Sequence, residues 1–133
     1  MSRVLVFGTF DQLHPGHEFF LSYASKQGSE LVVVVARDQT VQEVKNRLPV
    51  QEELLRQQVL AAHPVVDQAV LGSLGDKYAV VEQVSPSVIV LGYDQVAFTS
   101  RLEEELVSRG VSCVVKRCTK SFQPHKYKSS LLR

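Results

Sequence analysis

The chain has 133 residues, a formal net charge of +1, and 44% hydrophobic against 22% charged residues. These values fit one soluble globular domain over residues 1–133. No apolar run approaches the roughly 20 residues that span a bilayer, and the glycine at position 8 comes too early for a secretory signal. Two cysteines are too few for a disulfide framework, so we expect a cytoplasmic protein with no membrane partner.

Apolar runs alternate with helical patterns along the chain. Residues 3–7 and 31–36 are apolar runs that predict buried strands, and residues 17–27 between them predict a helix. The further predicted elements are, in chain order, helix 51–62, strand 68–71, helix 77–84, strand 88–91, helix 101–109, strand 112–116 and the beginning of a helix at 129–133. The apolar side of helix 51–62 is expected to hold Leu54, Leu55, Val59 and Leu60.

Five strands that alternate with helices through short connections predict an α/β fold, with a five-stranded parallel sheet and helices on both faces. The sequence shows no internal repeat, linker or second domain. In such a sheet ligands bind beyond the carboxyl ends of the strands, where the strand order switches. We therefore expect the chemistry near residues 7–9, 36–38, 91–94 and 117.

Two histidines follow the first predicted strand, in the stretch Gly-Thr-Phe-Asp-Gln-Leu-His-Pro-Gly-His at residues 8–17. Gly8 permits a tight turn, and Gly16 and His17 lie near a helix N-terminus, which binds anions readily. Imidazoles beside such an anion site can donate hydrogen bonds to phosphate oxygens during phosphoryl-type transfer. The pattern favours a phosphate-handling site over histidines that only cap or fill space, and we expect both rings to face one pocket.

This stretch resembles the signature of the cytidylyltransferase-like nucleotidyltransferases, which share a His-x-Gly-His motif with class I aminoacyl-tRNA synthetases. The resemblance implies a Rossmann-like single domain and attack by a phosphorylated acceptor on the α-phosphorus of a nucleoside triphosphate, with Mg²⁺ or another divalent metal accompanying the triphosphate. It also implies that Asp11 lies beside the acceptor or the metal, and that His14 and His17 are catalytic. The nucleotide-binding residues that it implies in this stretch are Gly8, Thr9, Phe10, His14, Gly16 and His17.

Charged residues that follow the second predicted strand lie close to this region. In similar enzymes a lysine on a mobile loop at this place reaches the substrate phosphates, so Lys45 is expected to bind the acceptor and to take part in catalysis. Similar enzymes also often carry an acidic residue and an arginine where Glu53 and Arg56 stand. For Arg56 an intramolecular anchor and a substrate contact stay open.

The end of the fourth predicted strand reads Leu-Gly-Tyr-Asp-Gln at residues 91–95. A carboxylate and an amide here can hold a ribose or a base edge, and related transferases carry a nucleotide-binding Gly-x-Asp element, here Gly92 and Asp94. The Gly-Tyr-Asp-Gln form is most similar to archaeal-type FAD synthases. Glycerol-3-phosphate cytidylyltransferases usually have an aspartate in place of Tyr93 and a tryptophan in place of Gln95.

Positive charge is concentrated at the end of the chain. Residues 106–133 contain seven Lys or Arg and no Asp or Glu, whereas residues 1–105 carry a charge of −6 from eight basic and fourteen acidic groups. Similar enzymes hold the leaving phosphates at a Ser/Thr-rich helix start here, which gives Ser129 and Ser130 a nucleotide-binding role. Arg117 and Lys128 are expected to bind the acceptor. A solvated basic terminus is the alternative.

The leading hypothesis is an adenylyltransferase that makes FAD from ATP and FMN. The first alternative is a cytidylyltransferase that uses CTP and glycerol 3-phosphate or a similar phospho-alcohol. A nucleotide-sensing module without catalysis is a second alternative, and the paired histidines argue against it because sensing needs neither of them. A nucleic-acid partner is not expected, since the chain lacks a recognised nucleic-acid-binding module. The sequence leaves open whether the chain forms a homodimer.

Overall fold

The computed structural model describes residues 2–92 and 102–118, in which helices connect five successive strands, one helix per connection except for two between β2 and β3. The elements are β1 (Arg3–Gly8), α1 (Pro15–Ser25), β2 (Glu30–Val35), α2 (Asp38–Lys45), α3 (Glu53–Ala61), β3 (Gln68–Leu71), α4 (Ala79–Val84), β4 (Val88–Leu91), α5 (Leu102–Ser108) and β5 (Val114–Arg117). All strand pairs are parallel, in the order β3-β2-β1-β4-β5. The α/β fold and the five-stranded parallel sheet predicted from the sequence are confirmed.

The sheet has a hydrophobic core on each face, because side chains of a strand alternate between the two faces. On β1, Val4 and Val6 belong to one core and Leu5 to the other. The first core also contains α1 and α3 residues, Leu21 and Leu60. The second contains α4 and α5 residues: Val80, Val81, Leu102 and Leu106. Helices therefore cover both faces, as the apolar strands predicted.

Helix α2 corrects the expectation of a loop around Lys45, which is the last residue of this helix. Only Val41 of α2 is buried, and the eight residues of this helix include just two apolar side chains, Val41 and Val44, so the sequence offers little from which to predict it. Tertiary hydrogen bonds compensate for this. The backbone N–H of Asp38 donates to the Glu53 carboxylate at 2.8 Å, and that of Glu53 donates to the Asp38 carboxylate at 3.3 Å. A side chain in the first turn of each helix thus accepts a hydrogen bond from a backbone N–H at the start of the other helix.

Helix α3 corrects a second expectation, because its buried side differs from the predicted one. Leu54, Leu55 and Val59 are 51%, 42% and 38% exposed, whereas Arg56 and Leu60 are fully buried. The Arg56 guanidinium donates three hydrogen bonds to neighbouring segments, and these bonds orient α3 so that the arginine faces the interior of the protein. A pattern of apolar residues cannot signal a buried arginine, so the prediction failed for a physical reason.

The remaining differences are shifts of element ends. Helix α1 begins two residues before the predicted helix, at Pro15, and β5 begins at Val114 and ends at Arg117. The predicted beginning of a helix at 129–133 lies outside the described residues. No helix in the described ranges is long and apolar enough to cross a membrane. The cytoplasmic location and the domain limits 1–133 stay predictions.

Candidate active site

Apart from Lys45, the predicted site residues that the structure describes lie at or after the carboxyl ends of strands. The stretch from Gly8 to His17 follows β1, Gly92 follows β4, and Arg117 ends β5. The chain winds from β1 outward to β2 and β3, and then returns to the other side of β1 with β4. This reversal between β1 and β4 is the topological switch point, where parallel α/β sheets bind ligands.

The two histidines of the motif lie together at the N-terminus of α1. Their rings stack with centroids 3.8 Å apart and an interplanar angle of 23°. His14 is the N-cap, and its Nδ1 accepts a hydrogen bond from Gly16 N at 3.0 Å, while Nδ1 of His17 accepts from His14 N at 3.2 Å. An Nδ1 that accepts an N–H has no proton, so each neutral ring carries its proton on Nε2. Each ring thus has an Nε2–H donor that the capping interactions leave unused.

Burial keeps His17 neutral. It is the main cause that lowers the pKa of His17 to about 4, and the electrostatic interactions of His17 with His14 and Lys45 act in the same direction. The acidic groups of Glu18 and Asp11 oppose this shift. At neutral pH the His17 ring is therefore an uncharged hydrogen-bond donor. The same interactions place Lys45 and Asp11 within electrostatic range of the histidine pair.

Phe10 packs against the histidine pair through its contact with His17. Its ring is 5% exposed, makes an edge contact with His17 at 5.5 Å between centroids, and stacks with Phe20 at 6.5 Å. A Cβ on Gly8 would lie 2.6 Å from the Phe10 ring, so only glycine leaves room for this packing. A nucleotide can reach Phe10 only through its backbone, which limits the role predicted for this residue.

Asp11 holds the neighbouring segment. Its two carboxylate oxygens accept hydrogen bonds from Val50 N at 2.8 Å and Gln51 N at 2.9 Å. Burial alone would raise the pKa of Asp11, but these backbone donors and the charges of Arg56 and Arg47 outweigh it and lower the pKa overall. The carboxylate is thus ionised and already used within the protein, and its predicted contact with the acceptor or the metal stays a prediction.

Arg56 is an intramolecular anchor, which decides between the two roles that the sequence left open. Its side chain is fully buried. It donates to Gln51 O at 2.8 Å, Thr9 O at 2.9 Å and the Asp38 carboxylate at 2.6 Å. The guanidinium thereby ties the end of β1 to the starts of α2 and α3.

Lys45 and Arg117 belong to elements that follow strands on opposite sides of β1 or lie in them, α2 after β2 and the strand β5. Lys45 is exposed at the C-terminal end of α2. Arg117 donates to the carbonyl oxygen of Gly92 at 2.7 Å, which ties the ends of β4 and β5 together. Asp94, Lys128, Ser129 and Ser130 lie outside the described residues, and the roles predicted for them stay predictions.

The described residues do not form a metal cage. Among residues 2–92 and 102–118 no group of three or more His, Cys, Asp or Glu side chains could hold a metal ion. Asp11 is the carboxylate of the motif, and both its oxygens accept backbone hydrogen bonds. Mg²⁺ is commonly held by substrate phosphates and water with only one or two carboxylates. The donor set of the described residues fits a metal ion that is held mainly by substrate phosphates and water.

Gln51 is the residue at this site that sequence reasoning missed. Its side-chain oxygen accepts from Gln12 N at 2.9 Å, its N–H binds Asp11, and its carbonyl accepts from Arg56. Gln51 and Gln12 are 39 residues apart, and neither belongs to a periodic pattern. The sequence carries no signal that could pair them.

Comparisons with known proteins confirm the family resemblance seen in the sequence. Residues 5–133 match the model of a family described as "Cytidylyltransferase-like". Proteins named FAD synthase from Aciduliprofundum boonei and Methanohalophilus mahii are 48% and 44% identical over 90% and 92% of this chain, and the matches cover 80% and 85% of those proteins.

Two solved structures resemble the model. A Thermoplasma volcanium protein, described as a lipopolysaccharide core biosynthesis protein, has a TM-score of 0.86 at 37% identity, and the match covers 92% of this chain and 99% of that one. A pantoate-beta-alanine ligase from Francisella tularensis has a TM-score of 0.62 at 15% identity over 92% of this chain and 61% of the ligase. The second likeness shows the fold alone.

Proposed function

The chain belongs to the cytidylyltransferase-like family, and from this premise we propose that it transfers AMP from ATP to FMN, yielding FAD and pyrophosphate. The observation that carries the proposal is the stacked histidine pair at the switch point, with both Nδ1 atoms used for capping and both Nε2–H groups available as donors. Relatives named FAD synthase, at 42–48% identity, support the choice of ATP and FMN.

In the proposed reaction an oxygen of the FMN phosphate attacks the α-phosphorus of ATP. A new phosphorus–oxygen bond forms there as the bond to the β-phosphate breaks, and pyrophosphate leaves. The attacking phosphate is already ionised near pH 7, so the reaction needs no general base. Catalysis of such a transfer consists of positioning the reactants and stabilising the charge that develops on phosphate oxygens.

The histidines fit this electrostatic role. Nε2–H groups of His14 and His17 would donate to α-phosphate or bridging oxygens, where charge increases in the transition state. The low pKa of His17 keeps this donor uncharged, so its hydrogen bond does not depend on a protonation event near pH 7. Thr9 and Gly16 would complete the phosphate contacts at the positively polarised N-terminus of α1.

The acceptor and leaving-group contacts rest on the sequence pattern. Lys45, whose charge already acts on His17, would attract the FMN phosphate from the end of α2. Arg117 would contribute positive charge from the other side. Asp94 and Gly92 would contact the nucleotide, and the nucleotide's β- and γ-phosphates would bind Ser129, Ser130 and Lys128. A divalent metal bound to ATP would neutralise part of the phosphate charge.

A turnover screen tests the proposal. The purified protein is incubated with ATP or CTP, each paired with FMN or glycerol 3-phosphate, and pyrophosphate release is measured together with chromatography of the products. We expect FAD from ATP and FMN, and little product from the other three pairs. Product from CTP and glycerol 3-phosphate would support the cytidylyl alternative, and nucleotide binding without turnover of any pair would support a sensing module.

A further inference from the structure

The loop that leads from β1 to the histidine pair has an unfavourable backbone conformation. Phe10 and Gln12 both have φ of 52°, in the left-handed region, on either side of Asp11. Residues other than glycine lie there at a cost, and such conformations persist only where the surrounding structure holds them. Since His14 follows two residues later, the position of the histidines depends on whatever holds this loop.

Three residues hold it from another part of the chain, and we refer to Val50, Gln51 and Arg56 as the clamp. Arg56 donates to Thr9 O, and Val50 N and Gln51 N donate to the Asp11 carboxylate. The side-chain oxygen of Gln51 accepts from Gln12 N at 2.9 Å. These contacts reach Thr9, Asp11 and Gln12, so the clamp holds the residues on both sides of Phe10 and also the second left-handed residue itself.

We propose that Gln51 is a positioning residue for the nucleotidyl transfer, which rests on the proposed function. Among the clamp contacts that reach the loop, only the Gln51 side chain binds beyond Asp11, at the N–H of the second left-handed residue, Gln12. It touches no reacting atom. Its effect passes through Gln12 to the N-cap His14, and from there to the stack with His17.

Gln51→Met isolates this contact, because methionine keeps the length of the side chain, lacks the amide oxygen and leaves the backbone contacts in place. Misplacement of reacting groups by about 1 Å can cost 10²-fold in rate. We therefore expect kcat to fall by about 10- to 100-fold, while KM for ATP changes much less. Gln51→Glu retains an acceptor for Gln12 N–H, so it should keep a higher kcat than Gln51→Met.

Gln57 offers a matched control on the same side of the fold. Its side chain also makes one hydrogen bond to the backbone, donating to Ala69 O at 3.0 Å, but it does so at β3 and away from the loop. Gln57→Met should lower the melting temperature about as much as Gln51→Met and leave kcat unchanged. Equal losses of kcat in the two variants would overturn the proposal, because they would indicate general loosening of the fold.

Amide hydrogen exchange tests the clamp without relying on activity. The Gln12 amide should exchange faster in Gln51→Met than in the wild type, and at the wild-type rate in Gln57→Met. A wild-type kcat together with wild-type Gln12 exchange in Gln51→Met would refute the positioning role. If the wild type turns over none of the four substrate pairs, the proposed function fails, while the exchange comparison still decides whether Gln51 holds the loop.

Discussion

Each ring of the histidine pair has one nitrogen in a capping hydrogen bond and one free for a ligand. The capping nitrogen is Nδ1 in both rings, and the free one is Nε2. The side-chain amide of asparagine or glutamine can replace one of these two ring nitrogens. An asparagine amide oxygen can take the place of Nδ1, and a glutamine amide N–H can take the place of Nε2–H. The two roles of His17 can therefore be separated by substitution.

We predict that His17→Asn loses about 10²–10³-fold in kcat, because one donor to developing charge is removed. Its melting temperature should change little, since the capping acceptor remains. His17→Gln should show the opposite pattern, with more residual turnover and lower thermal stability. Steady-state kinetics and thermal denaturation of both variants provide the measurement. Equal kcat values in the two variants would contradict the assignment of the Nε2 donor.

A second prediction concerns pH. The pKa of His17 is about 4 in the folded protein, and the ordinary value, expected when the chain is unfolded, is 6.5. Between these values the unfolded chain binds a proton that the folded protein does not, so lowering the pH favours unfolding. The effect is absent above pH 6.5, grows as the pH falls, and reaches its limit below pH 4.

His17→Asn lacks this titration and should lose less stability than the wild type between pH 7 and pH 5. Urea denaturation of both proteins at the two pH values measures the difference, in which the other titrating groups largely cancel. Parallel losses of stability would mean that folding does not lower the pKa of His17.

Among the elements, α2 and α3 show how ionic hydrogen bonds replace an apolar face. Arg56, Asp38, Glu53 and Arg37 form one connected network, in which Arg37 also donates to the Glu53 carboxylate at 3.0 Å. Removal of one partner from a buried pair leaves the others without compensation. This explains how α2 is held although it buries a single apolar residue.

We predict that Arg56→Met lowers the free energy of unfolding by about 3–5 kcal/mol, or prevents folding. Asp38 and two carbonyls would lose their donor. Arg3→Met is the matched control, since Arg3 also pairs with a carboxylate and a carbonyl, Glu30 and Val84, but is 44% exposed. It should cost at most about 1 kcal/mol. Urea denaturation measures both, and Asp38→Asn supplies a milder variant if Arg56→Met does not fold. Similar losses for Arg56→Met and Arg3→Met would contradict the anchor.

The elements also show what a sequence can reveal. The ends of β3 and β4 match the prediction because short apolar runs between Pro, Gly and polar residues mark buried strands clearly. The adjacency of His14 and His17 follows from their spacing at a helix start. Helix α2 and the buried side of α3 could not be predicted, because polar contacts between segments distant in the sequence determine both.

At the scale of the whole molecule, charge is distributed unevenly along the chain, and much of the basic final segment lies outside the described residues. An acidic body and a basic final segment fit a binding site for a polyanion. We predict that the double variant Lys128→Ala and Ser129→Ala binds ATP more weakly and turns over more slowly, while its affinity for FMN changes little. Calorimetry with a non-hydrolysable ATP analogue and with FMN measures the two affinities. Wild-type values for both would support a solvated basic terminus.

The separation between the motif and its clamp has a consequence for the kinetics of refolding. Thr9 and Arg56 are 47 residues apart, and Asp11 and Gln51 are 40 apart. The motif can be recognised in ten consecutive residues, but a peptide of those residues would lack every contact with the clamp. Closing a segment of this length costs conformational entropy, which the packing of α1, β2 and α3 into one core offsets. Recovery of activity after dilution from denaturant should therefore lag behind early helix formation and follow the docking of α3 on the sheet.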